Sequence, residues 1–296
     1  MKNYARIFII FLFISFISAQ TYVPDDNFEQ ALIDLGYDDV LDDYVITDSI
    51  NTVTTLDVSN DSISDLTGIE GFIALTYLNC GDNQLDSLDV SNNTALTQLW
   101  CRTNQLTSLD VSNNTALTVL DCHYNDLTSL DVSSNSALTD LRCYNNQLTS
   151  LDLSSNTALI SLSNHHNQLD SLDVSSNTAL TTLHCGNNQL DTLDVSNNTA
   201  LTNLYCNDNQ LTSLDLSSNT ALTELYCYTN QLDSLDVSSN TELTKLICGN
   251  NSLASLDLSN NTDLTELHFG VNQLTSLDVS SNTALSRLTC NGNDLT

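Results

Sequence analysis

Basic residues are nearly missing from this chain: six Lys and Arg stand against 37 Asp and Glu over 296 residues, for a formal net charge of −31. A surface of that sign repels phosphate, which argues against nucleic-acid binding. It also lacks the Lys/Arg clusters that docking on anionic lipid needs. Proline occurs once and glycine eight times. That composition excludes collagen-like and Pro/Gly-rich linker segments, and it is sparse for a chain with many turns. No G-x-S-x-G, H-E-x-x-H or Gly-rich phosphate loop is present, so no catalytic machinery and no cofactor are expected. Long apolar runs are absent except one, Ile7 to Ile17. At 41% hydrophobic residues, the chain is nonetheless too apolar for a disordered acidic tail.

The single apolar run follows Lys2 and Arg6 and precedes Ser18, Ala19 and Gln20. A short basic region, an apolar core and a small residue predict a secretory signal peptide over residues 1–19. The run is short of the roughly 20 residues a membrane-spanning helix needs. The mature chain is therefore expected to be secreted, without membrane insertion.

From Leu75 onward the sequence repeats every 21 residues, with eleven unit starts from Leu75 and Leu96 through Leu285. One unit, Leu96 to Ala116, reads L-T-Q-L-W-C-R-T-N-Q-L-T-S-L-D-V-S-N-N-T-A. Leucine holds unit positions 1, 4, 11 and 14, Cys most often position 6, and Asn positions 9 and 19. A fixed period of this size marks a solenoid, in which each unit buries its apolar face against its neighbours. Leucines two places from another apolar residue predict two short strands per unit, stacked in parallel at a spacing of roughly 4.8 Å. The Asn side chains are expected to bond backbone groups of the next unit.

L-x-x-L-x-C-x-x-N-x-L resembles the leucine-rich repeat signature, in its Cys variant. The half-unit L-x-x-L-x-V-x-x-N nearly repeats it, as in nested 21-residue bacterial repeats. An irregular unit with Leu56, Val58, Ile63, Leu66 and Ile69 precedes the array, and its L-T-G-I-E-G-F-I-A-L segment is similar to internalin-type repeats. The stretch Y-V-P-D-D-N-F-E-Q-A-L, from Tyr22 to Leu32, resembles the cap of secreted Bacteroidetes-type proteins of this kind. The resemblance implies a mainly β leucine-rich repeat solenoid of parallel short strands over residues 56–296. A short helical N-terminal cap over residues 20–55 would precede it, with a helix at Asp26 to Leu35 burying Phe28, Leu32 and Leu35. The eleventh unit stops at Thr296 without a polar cap. The resemblance implies further repeats and a C-terminal sorting module beyond it.

All nine cysteines occupy position 6. Their number is odd, and parallel strand spacing exceeds the roughly 3.8 Å between Cβ atoms that a disulfide prefers. A column of buried free thiols is expected. Position 15 is Asp in every unit that reaches it, from Asp89 to Asp278. These carboxylates are expected to accept hydrogen bonds from serines at positions 13 and 17, such as Ser108 and Ser112. Because hard oxygen ligands suit calcium, weak calcium binding between rungs is the alternative.

Variation concentrates at positions 3, 5 and 7, which point outward from the first strand. There lie Trp100, Arg102, His123, Arg142, Tyr144, His165, His184, Tyr205, Tyr226, Tyr228, Lys245 and His268. Aromatic and Arg enrichment is the composition of a binding surface. The expected ligand is a protein or polysaccharide. A structural or adhesive spacer without a specific ligand is the alternative reading. His123 and His165 share a column two rungs apart with Tyr144 between them, and a zinc site there is disfavoured because an open strand face excludes water poorly.

Overall fold

The structure is a computed structural model that describes residues 18–296. The predicted signal peptide therefore lies largely outside the described residues. The chain begins with strand β1 (Gln20–Tyr22), helix α1 (Asp26–Asp34), strand β2 (Tyr44–Ile46) and the short helix α2 (Thr47–Ile50). Strands β1 and β2 pair antiparallel. Twelve strands of three residues follow: β3 (Thr55–Asp57), β4 (Tyr77–Asn79), β5 (Gln98–Trp100), β6 (Val119–Asp121), β7 (Asp140–Arg142), β8 (Ser161–Ser163), β9 (Thr182–His184), β10 (Asn203–Tyr205), β11 (Glu224–Tyr226), β12 (Lys245–Ile247), β13 (Glu266–His268) and β14 (Arg287–Thr289). They form one sheet in strict sequence order. Every pair from β4 onward is parallel at a 21-residue offset, as in Leu204 opposite Leu225. Each turn of the solenoid thus adds one rung.

Within a unit, the leucines at positions 1, 4, 11 and 14 and the residue at position 16 face a continuous core. Leu96, Leu99, Leu106 and Val111 are fully buried. The core continues into the irregular first unit through Leu56, Val58, Ile63, Leu66 and Ile69.

One expectation is corrected. Each unit has a single strand, at positions 3 to 5, and positions 13 to 16 form none. Their L-D-V alternation buries the apolar residues but recruits no backbone ladder, because the polar groups there are satisfied locally. The N–H of Ser112 donates to Asp110 Oδ1 at 2.9 Å. The N–H of Asn114 donates to the Val111 carbonyl at 3.0 Å.

The two Asn columns hold successive units together by reaching back, not forward. Asn104 Nδ2 donates to the carbonyls of Cys80 and Cys101, and its Oδ1 accepts from the Leu85 N–H at 3.0 Å. Asn114 is fully buried and donates to the carbonyls of Val90 and Asn93. Position 8 is left-handed in every unit from Asp82 to Val271, with φ of 51–57°.

At the N-terminal end, α1 packs Phe28, Ala31 and Leu32 on the stack. Leu35 is 47% exposed, contrary to expectation, because it is the αR residue that caps the helix and points off the packed face. Asp25 fastens the cap: one carboxylate oxygen accepts from the N–H groups of Asn27 and Phe28, the other from Ser64 and Asp65. Among the described residues, no helix is long and apolar enough to cross a membrane.

Candidate binding face

The cysteine column is interior. All nine thiols are free, and all but Cys290 are buried. Burial pushes Cys80, Cys143, Cys206 and Cys248 up to about 12. Thiols held that high are poor nucleophiles near neutral pH.

On the outer face of the same sheet, all twelve variable residues singled out above are half-buried against one another. Trp100 lies under two guanidinium groups, Arg102 at 5.8 Å and Arg142 at 5.4 Å from its ring centre. Arg102 pairs with Asp82 at 3.3 Å, and Arg142 grips Asp140 at 2.7 and 3.3 Å. Asp121 lies beneath, 1% exposed, with His123 Nδ1 on one oxygen and Arg142 Nη1 3.8 Å from the other.

A ladder of rings leaves from there. His123 stacks on Tyr144 at 4.2 Å, and Tyr144 on His165 at 4.3 Å. The edge of His184 meets His165 at 5.0 Å and Tyr205 at 3.9 Å. Tyr226 follows Tyr205 at 4.7 Å, and Lys245 Nζ lies 5.2 Å from the Tyr226 ring centre. The ladder ends in an ion cluster on Glu266, which receives Lys245 at 3.1 Å, His268 at 2.8 Å and Arg287 at 3.0 Å. Hydrogen bonds from Arg287 and Lys245 hold the Glu266 carboxyl down at about 2.

Burial, with help from His184, His166 and His123, drives His165 down to about 4, so it is neutral at physiological pH. Burial also lowers His184. Tyr205 is pushed up to about 12 by burial and by donating to Glu224 at 2.8 Å. His123 and His165 do not converge, because the Tyr144 ring fills the space between them. Among the described residues, no three His, Cys, Asp or Glu side chains cluster as metal ligands.

Residue spacing pointed to the twelve but missed Asp121, Glu224 and Glu266. These acids lie at positions 3 and 5 of the same strands, and their pairing depends on how far long side chains reach.

The aspartate column runs along positions 13 to 17. Each aspartate at position 15 accepts from the backbone N–H at position 17, as in Asp152 from Ser154 at 2.9 Å. Bonds from that serine lower the carboxyl. The position-13 serines do not bond it. Ser87 instead donates to Asp86, its neighbour, at 2.9 Å. This side has the roomier depression, ≈ 640 Å³, lined by groups such as Ser213, Asp215, Ser217, Asp236 and Asp257. Its polar groups are hydroxyls and carboxylates of one sign, beside Leu214, Leu216 and Leu235, and no ring lines it. The smaller strand-face depression, ≈ 310 Å³, is lined by rings, and its chemistry suits recognition better.

The fold and the repeat define a leucine-rich repeat protein. A leucine-rich repeat family model of two copies matches residues 199–240. Internalin J of Listeria monocytogenes is 42% identical over 77 residues, which is 26% of this chain and 8% of that protein. The solved functional domain of internalin J, described as including a cysteine ladder, superposes with a TM-score of 0.89 at 42% identity, over 93% of this chain and 62% of that one. An internalin (InlF) from the same species gives 0.86 at 25% identity, over 92% of this chain and 83% of that one. The chain is a leucine-rich repeat solenoid similar to these internalins, and it spans less than two-thirds of the internalin J domain it matches.

Proposed function

We propose that this chain is a non-catalytic binding protein, secreted or displayed on a bacterial surface, that recognises a protein partner through its strand face. The ring ladder from Trp100 to Tyr226, bracketed by Arg102, Arg142 and Lys245, carries this reading. Such residues supply most hot-spot energy at interfaces. The opposite side, with its serines and aspartates, offers nothing comparable.

A polysaccharide is the less favoured ligand. Sugars pack against open ring faces, whereas Tyr144 has both faces covered by His123 and His165. A stack whose ring faces are covered leaves its edges to a ligand, which suits the side chains of a protein.

The test is an array of host-surface proteins and glycans probed with residues 20–296, followed by affinity measurements on any hit. Trp100→Ala and Tyr226→Ala should each weaken binding by about 2 kcal/mol, roughly thirtyfold. Thr107→Ala, on the far side of the unit, should leave it unchanged. Saturable binding that ignores the strand face would sink the proposal. A complete absence of saturable binding would favour a spacer role.

A further inference from the structure

The position-7 column reads His123, Tyr144, His165, Gly186, Asn207, Tyr228. Its first three rings stack within 11° of parallel. Gly186 then supplies no ring, and the stack stops. Beyond Tyr144 the His165 ring is met only edge-on, by His184 inclined at 70° and by His166 inclined at 62°. An open slot of ≈ 310 Å³ lies there, lined by Gly186, His165, His166, His184, Tyr205, Asn207 and Tyr228.

The slot is electrically one-sided. No Lys or Arg occurs between residues 143 and 244. Two carboxylates stand one hydrogen bond behind this lining: Glu224 accepts from Tyr205 Oη at 2.8 Å, and Asp208 accepts from Asn207 Nδ2 at 2.8 Å. The site therefore combines a flat imidazole with no ring stacked on its second face, a column missing one ring, and carboxylates with no Lys or Arg beside them.

We propose that the Gly186 slot takes a guanidinium group: an arginine side chain of the protein partner enters the depression and stacks on His165. A guanidinium is flat, weakly hydrated and always charged, so it satisfies both the stacking and the electrostatic demand. An ammonium has the charge without the plane, and a phenol the plane without the charge. The net charge of −31 draws a basic partner in from solution. This inference rests on the strand face being a protein interface.

The test uses the folded chain and follows the His165 and His184 imidazole resonances by NMR. N-acetyl-arginine amide is the probe, compared with the lysine and tyrosine amides at matched ionic strength. The arginine amide should shift both histidines saturably and bind about tenfold more tightly than either comparator. Gly186→His, which restores a ring to the column, should abolish the response. A Cβ at Gly186 would lie 2.9 Å from both the carbonyl oxygen and the side-chain Oδ1 of Asn207, so this variant can distort the site. Asp208→Asn with Glu224→Gln is the second arm and should reduce affinity several-fold without touching Gly186. Equal response to the lysine or tyrosine amide overturns the proposal, as does indifference to the carboxylate variant. If arrays find a Trp100-dependent partner while arginine amide leaves the histidines unmoved, the slot fails and the wider face stands. If arginine amide saturates the slot but no protein binds, the face fails as an interface.

Discussion

Tyr144 and His165 lie ring on ring, their centres 4.3 Å apart and their planes 11° from parallel. They are neighbours in one column, a single rung apart. The stack is a consequence of the solenoid, because strand spacing of roughly 4.8 Å nearly equals the thickness at which flat rings pack. Any two rings placed 21 residues apart at position 7 will stack. The repeat thus turns sequence identity at one position into a preformed surface. Under the proposed function, rings already packed on one another would lose little further freedom on association.

That stack makes stability depend on pH. The folded His165 titrates at about 4, below its ordinary 6.5, so the unfolded chain binds more protons between those values. Stability contributed by the neutral ring is complete above pH 6.5 and is lost as pH falls toward 4. The melting temperature should be level above pH 7 and decline from 6.5 to 4.5, ahead of the titration of the lowered aspartates. His165→Tyr, matching its neighbour Tyr144, should flatten that slope. An unaltered slope, or a His165 resonance titrating near 6.5, would overturn this account.

The buried Asn column sets a different requirement. Asn198 is fully buried, and its Nδ2 donates to the carbonyls of Val174 and Asn177 at 2.9 Å each, while its Oδ1 has no partner. Only the donor half of the amide makes contacts. Asn198→Ala removes two bonds but leaves each carbonyl one backbone donor, from Asn177 and Leu180, so a loss of about 1–3 kcal/mol is expected. Asn198→Asp places carboxylate oxygen against both carbonyls and should be worse at pH 7, with partial recovery in acid. Urea melts of the two variants at pH 7 and 5 decide it. A milder Asp than Ala variant would mean that the amide is oriented the other way.

Much of this was legible from spacing. Leucines at positions 1, 4, 11 and 14, cysteines at 6 and variable residues at 3, 5 and 7 fall on the buried and outward sides their periods demand. The second strand was not legible. The L-D-V alternation at positions 14 to 16 reports burial, and it cannot report that Asp110 and Val111 absorb the N–H groups of Ser112 and Asn114 within one unit. Leu35 misled because helical periodicity continues one residue past the end of α1. Asp121 was hidden for a third reason. It lies beneath His123 and beneath Arg142 of the next rung, which also reaches Trp100 two rungs back, and reach is a matter of rotamer.

Position 8 shows a local conflict that can be relieved. Val271 has φ +57° and is 51% exposed. A β-branched side chain is strained in the left-handed region, whereas Asn enters it readily. Asn145, Asn187 and Asn250 already occupy the equivalent place with φ of 51–54°. Val271→Asn should therefore stabilise the C-terminal units by about 1 kcal/mol and raise the temperature of their unfolding. A neutral or negative effect would show that Val271 gains more from packing on Gly292 than it loses in strain.

The aspartate column offers the last test, because it is where calcium would bind if it binds at all. Asp152 and Asp173 sit one rung apart, fully exposed, each accepting from a serine two residues on at 2.9 Å. Those bonds lower both carboxyls, so the column stays ionised and its like charges repel. Any salt will relieve that repulsion by screening. Specific calcium binding is a stronger claim, since it needs six to eight oxygens around one ion, and such a ligand would raise the melting temperature beyond screening alone. We expect millimolar calcium and sodium at matched ionic strength to raise the melting temperature by similar, modest amounts. Asp152→Asn with Asp173→Asn should raise it in low salt and reduce the response to both ions equally. A shift seen with calcium alone, and abolished by the double substitution, would instead make the column a calcium site.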